Sequence, residues 1–310
     1  GLLAGKTMRK RISLFLKILS AFALAVFLLL WLEVIWTSPP YYEPSRIYQW
    51  SSPILSDEAY STILGEHPRP YIYRLGGGQK GEVYILGIEH SKDPQNPQID
   101  SVYYWWNKAN PTAVLVEGRL GFLFSWFQNP VKTLGEQGYA ARLAKKHNTG
   151  LFTWEPDKGK QVQLMVEKYD AKKVALFFSL RPYFSNFRFG KPENPEQKMD
   201  EYITSRTDYP EIRGLIKGWE EIDSIWKADF PNEKDWRDYS DEWGWPEGYL
   251  SEMASYSNML RDIHLCNSII DLAEKGETVF ATMGSSHAVR VQGALQSYFG
   301  GNRSAESPGD

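Results

Sequence analysis

Five short apolar runs constrain the fold of this chain more than any other feature. They occupy residues 82–86, 113–116, 150–154, 174–180 and 279–283, and helix-like segments at about 97–108, 130–146 and 160–169 separate the first four. Strands alternating with helices predict an α/β fold, with a mostly parallel central sheet and helices on both faces. Residues 71–75 and the glycines Gly76, Gly77 and Gly78 precede the first run and read as a hairpin into the sheet. A long helix over about 249–275, closed by Gly276 in the C-cap role, leads into the last run, and another helix follows from about His287.

The residues leaving these strands are the candidate chemistry, because open α/β sheets bind ligands outside the carboxyl ends of their strands. His90 follows the first run in Gly87-Ile88-Glu89-His90, and His287 follows the last in Gly284-Ser285-Ser286-His287. In both motifs the glycine is expected to let the chain turn sharply as it leaves the sheet. Glu117 ends the second run, Glu155 the third and Arg181 the fourth. Any one of them is ordinary, since a strand-end glutamate is usually solvated and a lone histidine usually structural. Together at one edge they predict a functional cluster. The long helix adds Arg261 and His264, near one face by their spacing, although Arg261 beside Asp262 also reads as a surface ion pair. Ser285 and Ser286 read as helix N-cap residues rather than nucleophiles. The chain has no Gly-x-Ser-x-Gly elbow, which argues against a serine hydrolase of the α/β-hydrolase kind.

Residues 18–32 carry no charge, and adding 12–16 and 34–36 gives an apolar stretch over 12–36 interrupted by Lys17 and Glu33. A bilayer needs roughly 20 such residues, so a transmembrane anchor is predicted. Lys17 would snorkel to one interface, and Trp31 and Trp36 suit the other. Lys6, Arg9, Lys10 and Arg11 make residues 1–11 a basic, cytoplasmic N-terminus, which places the rest outside the cytoplasm, in the periplasm of a Gram-negative cell. No small-x-small cleavage site follows the run, which favours a retained anchor over a cleaved signal. Residues 37–70, rich in Pro, Ser and Tyr, read as a linker to an α/β domain over 71–300, and 301–310 as a disordered polar tail. Residues 219–248 break the strand–helix rhythm with Trp219, Trp226, Trp236, Trp243 and Trp245 among many acids. This aromatic-rich insertion reads as a cap plugged onto the main domain or as a lid over the site. The net charge of −3 implies no general attraction to nucleic acid, and the single Cys266 excludes an internal disulfide.

The order of motifs resembles the Tiki/TraB superfamily, which also holds ChaN-like haem-uptake proteins and erythromycin esterases. The resemblance covers roughly residues 70–300 and rests on Gly-x-x-His, a strand ending in Glu117-Gly118-Arg119, one ending in Glu155-Pro156, one ending in Arg181, a helix bearing Arg261-Asp262, and a second Gly-x-x-His. It implies an α/β fold with a site built from both histidines and the acidic residues between them. In the Tiki branch such a site belongs to a metal-dependent protease, in the esterase branch to a hydrolase with a histidine base, and in the ChaN branch it concerns haem.

On this reading the protein is a membrane-tethered hydrolase of peptide or ester bonds in a peptide or small-molecule substrate. His90, Glu117 and His287 would hold a divalent ion, with Glu155 as base or further ligand. Imidazole and carboxylate donors suit Zn, Mn, Co or Fe. Such an ion would lower the pKa of a bound water and polarise a carbonyl. Arg181 or Arg261 would stabilise the oxyanion. A metal-free version makes one histidine the general base, oriented by a glutamate. The alternative is a non-catalytic protein whose aromatic insertion binds haem, with a histidine as axial ligand.

Overall fold

The computed structural model describes residues 2–77 and 80–300; Gly78 and the tail 301–310 fall outside them. Four of the five apolar runs are strands of one sheet. β2 (Tyr71–Gly76) and β3 (Glu82–Ile88) form the expected antiparallel hairpin, and β3, β7 (Val279–Gly284), β4 (Ala113–Val116) and β6 (Gly150–Thr153) run parallel in the order β2-β3-β7-β4-β6. The fold is the predicted α/β one. Helices α10 (Tyr249–Glu274) and α11 (Ser285–Phe299) supply a core with Leu265, Ile269, Val291 and Leu295 against one set of strand side chains, Val83, Ile85, Leu115 and Ala281. On the other face, Trp105 and Trp106 of α3 (Gln98–Ala109) and Ala140 and Leu143 of α5 (Glu136–Lys146) pack with Tyr84, Leu86, Val114, Val116 and Phe280. β3, β4 and β7 are thus covered on both sides, which is why their runs are apolar without alternation.

The two motif glycines serve a purpose other than turning. Gly284 has φ −58° and ψ 143°, an ordinary backbone conformation, and Gly87 lies inside β3. What they provide is space. A Cβ on Gly87 would lie 2.6 Å from Ala288 Cβ and 3.1 Å from Ser285 Cα, so the start of α11 sits directly on the strand. Gly87→Ala should therefore cost about 1–3 kcal/mol through overpacking. Denaturant melting checks this, and an unchanged midpoint would refute the close approach.

The fourth apolar run is no strand. Residues 174–180 lie within helix α7 (Ala171–Asn186), so Arg181 sits on a helix rather than at a strand end. Asp170 caps the helix by accepting from Lys172 N and Lys173 N, and the run is apolar but for Ser179 because α7 is buried at all seven positions there. It forms the centre of a second core with α6 (Lys158–Lys168), α8 (Pro195–Arg206), α9 (Trp219–Asp229) and the start of α10. Trp226 and Trp236 are buried in this core and Trp219 and Trp245 pack against it, so the insertion belongs to a helical cap larger than itself. The predicted helix over 130–146 is two helices, α4 (Pro130–Leu134) and α5, broken at Gly135, which takes φ +75°.

The N-terminal half also departs from expectation. Helix α1 (Leu2–Trp31) ends before the predicted limit of the span. Glu33 adopts φ 55°, its N–H reaches Leu30 O and the Val34 N–H reaches Leu29 O, the paired bonds of a Schellman ending. Val34 and Trp36 are buried in the domain rather than lying at an interface, and β1 (Ile35–Trp36) pairs antiparallel with β5 (Leu123–Phe124). Residues 37–70 do not form a free linker. Pro40 and Tyr42 hydrogen-bond Thr153 at the end of β6, and the hydroxyls of Tyr42, Ser45 and Tyr48 all converge on the buried carboxylate of Asp271. Their rings and that carboxylate bury each other.

Candidate functional site

The carboxyl ends of β3, β4, β6 and β7 open into one cleft of about 1500 Å³ between sheet and cap. Its wall includes His90, Glu117, Glu155, Arg181, Arg261 and His287, all six residues expected from sequence. Both imidazoles face the same carboxylate. His90 Nε2 is 4.0 Å from Glu117 Oε2, and His287 Nε2 is 3.8 Å from Glu117 Oε1.

Arg261 holds the centre. Its Nε donates to Glu155, its Nη2 to Glu117 Oε1 at 2.8 Å and Glu155 Oε1 at 2.6 Å, and its Nη1 to His287 Nε2 at 2.9 Å and Asn258 Oδ1 at 3.5 Å. A guanidinium has five N–H groups and no acceptor. All five have partners here, so Arg261 is a clamp without a spare donor for an oxyanion. It is buried, contrary to the surface ion pair with Asp262. Asp262 pairs elsewhere, accepting from His287 Nδ1 at 2.5 Å and lying 3.0 Å from Arg290 Nη2. Because Arg261 can only donate, the acceptor in its contact with His287 is Nε2, while Nδ1 faces Asp262. His287 is thus committed on both nitrogens.

His90 is not. Its Nδ1 lies 2.8 Å from Glu136 Oε1, while Glu136 Oε2 accepts from Ser91 N at 3.0 Å. The carboxylate fixes the ring with Nε2 toward the cleft, and about a third of the side chain is exposed. Burial alone would lower the pKa of His90, but the hydrogen bond to Glu136 and the charges of Glu117 and Glu136 outweigh it, so the pKa is raised. Burial likewise opposes ionisation of Glu117, yet His90, His287 and Arg261 bring its pKa down to about 2. Glu155 is held well below the usual carboxylate range against its burial, by Arg261 first and Lys158 next.

Arg181 is placed differently from Arg261. It donates to Ser257 Oγ at 2.6 Å and lies near the ring of Phe177, and no carboxylate pairs with it among the described residues. Burial and the neighbouring Arg261 charge push its pKa down to about 10. His264 stands apart from the site, with Nε2 2.9 Å from Tyr42 O, in a structural role. Ser285 and Ser286 are not the N-cap: Gly284 is, without a side-chain bond, and α11 begins at Ser285.

A metal ion shared by His90, Glu117 and His287 does not fit this arrangement. It would have to displace Arg261 from Glu117 and take the Nε2 lone pair of His287 from Arg261 Nη1, beside a fixed positive charge. Among the described residues no three His, Cys, Asp or Glu side chains are grouped to hold an ion. For haem, Trp226 and Trp236 present no face, being consumed in the core of the cap.

Two important residues escaped the sequence reading. Glu136 lies in what reads as the middle of one helix, and only the break at Gly135 brings its carboxylate to His90. Asp262 reads from the sequence as the ion-pair partner of the adjacent Arg261. No family model matches this chain, and neither a curated protein nor a solved structure does.

Proposed function

We propose that this protein is a membrane-anchored, extracytoplasmic hydrolase that cleaves an ester or peptide bond with His90 as general base. The observation that carries the reading is the asymmetry of the two histidines. His287 has both nitrogens engaged, whereas His90 has Nδ1 pinned by Glu136 and Nε2 free toward the cleft. The 4.0 Å gap from His90 Nε2 to Glu117 Oε2 suits a water hydrogen-bonded to both. Nε2 takes a proton from that water as its oxygen bonds to the substrate carbonyl carbon. Arg181, with N–H groups left over, faces the oxyanion that develops. The imidazolium then returns the proton to the leaving oxygen or nitrogen as its bond to carbon breaks. Arg261 and His287 hold Glu117 and Glu155 in place. Of the chemistries implied by the Tiki/TraB resemblance, this is the metal-free one.

The anchor is supported by residues Ile12–Trp31 of α1, whose mean hydropathy is 2.5 and none of which is buried. Residues Glu33 to Trp36 are folded into the domain, which favours a retained span over a cleaved signal. The basic residues ahead of the span favour an N-terminus in the cytoplasm.

The test is turnover of a panel of chromogenic esters and peptides by the full chain in detergent, before and after exhaustive chelation. The expected result is chelation-insensitive hydrolysis with a rate that rises with pH on the alkaline side of 6.5, where His90 loses its proton. Activity that vanishes on chelation and returns with a divalent ion would restore the shared-ion reading. A Soret band in the purified protein would point to haem instead.

A further inference from the structure

The turn after β5 joins the anchor reading to the domain. Between Gly121 and Gln128 the chain has no charged residue, and Phe122, Trp126 and Phe127 are 63%, 66% and 80% exposed. These are large aromatics in water on a well-ordered turn. Gln128 N donates to Phe124 O at 2.9 Å, Phe124 N to Gln128 Oε1 at 2.7 Å, and the Phe124 and Phe127 rings stack with centroids 5.4 Å apart. Leu123 is fully buried and pins the base. The rings therefore project instead of folding back.

The turn is also bound to the end of α1. Ile35 pairs with Phe124 and Trp36 with Leu123, while Ser125 donates from N to Val34 O at 2.8 Å and from Oγ to Glu33 O at 2.9 Å. Its tip thus lies beside the last apolar residues of the helix, where Trp31 and Leu32 are 71% and 57% exposed. Exposed contiguous apolar surface of this kind marks an interaction site. Aromatic rings beside the end of a membrane span belong at the lipid–water interface.

We propose that the turn bearing Phe122, Trp126 and Phe127 inserts into the lipid–water interface beside α1 and seats the domain on the bilayer. The partner is the membrane that α1 crosses, so the inference rests on the anchor reading. Arg119 and Lys132, which flank the turn, are exposed and suit anionic headgroups.

The test uses the full chain with Cys266→Ala, which removes the only cysteine, carrying either Phe127→Cys or Phe22→Cys labelled with a polarity-sensitive fluorophore. The protein is reconstituted in vesicles of equal parts phosphatidylethanolamine and phosphatidylglycerol, with nitroxide on the headgroup or at mid-chain. The Phe127 label should shift to shorter wavelength and be quenched most by headgroup nitroxide, and the Phe22 label most by mid-chain nitroxide. A quenched Phe22 label with an unquenched Phe127 label overturns the inference and leaves the anchor standing. A Phe127 label that responds to protein concentration instead of nitroxide overturns it in favour of self-association. If neither label is quenched, the anchor reading and the inference fail together.

Discussion

Arg261→Met should destabilise the protein by about 3–5 kcal/mol, because it strips the clamp from buried carboxylates instead of removing a balanced set of charges. In a chain of this size that is a fall in melting midpoint of roughly 5–8 °C. The Arg261 side chain is 8% exposed, and those of Glu117 and Glu155 are 14% and 6%, so water does little to replace it. The loss should depend on pH in a definite direction. Glu117 has its folded pKa lowered from 4.5 to about 2. Its stabilising contribution is complete above the unfolded value and is lost as pH falls toward 2. The gap between wild type and variant should therefore be full at neutral pH and shrink through that acid window. Thermal melts at a series of pH values measure it. A variant melting within a degree or two of wild type at pH 7 would mean that Arg261 is not the centre of the site.

His90→Gln should separate activity from folding. A positioned general base contributes about 10²–10⁴-fold to rate, so kcat should fall by that factor. His90 is partly exposed and its loss removes one hydrogen bond at the cleft wall, so the melting midpoint should barely move. A companion substitution, Glu136→Gln, keeps an acceptor for Nδ1–H but removes the charge. The Glu136 hydrogen bond and charge raise the pKa of His90, so removing the charge should lower that pKa and shift the acid limb of the pH–rate profile to lower pH. His90 interacts with Glu136 most strongly when protonated, so this stabilisation is present below pH 6.5 and is lost as pH rises through the raised pKa. If His90→Gln keeps near wild-type turnover, His90 is not the base. An unmoved acid limb in Glu136→Gln would mean that another group sets it.

Which parts of this molecule could be read from its residues follows from the range of the interactions involved. Strand runs such as 279–283 were legible because burial on both faces leaves them uniformly apolar, and the rim residues followed from the strand ends. The same cue misled at 174–180, since a helix wrapped on all sides is equally apolar; the Asp170 cap was the available local signal. Pairings were invisible. Asp262 lies beside Arg261 in sequence, yet the two do not pair: Asp262 meets His287 Nδ1, and Arg261 binds the glutamates and His287 Nε2. Glu136 reaches His90 across 46 positions. Tyr42 and Tyr48 looked like linker residues because their partner, Asp271, is more than two hundred positions away. The Schellman ending at Glu33 was hidden because the left-handed position is not a glycine.

That ending has a mechanical meaning. A free chain as long as residues 37–70 would let a tethered enzyme sweep a radius of roughly 30 Å. Here α1 turns at Glu33 and is hydrogen-bonded into the domain by Val34, with no slack between them. In a bilayer the cleft would then work at one fixed height and one orientation, like a tool bolted to a bench. Molecules lying at that height would meet it by lateral diffusion in two dimensions, while those even a few nanometres farther out would have to come to it.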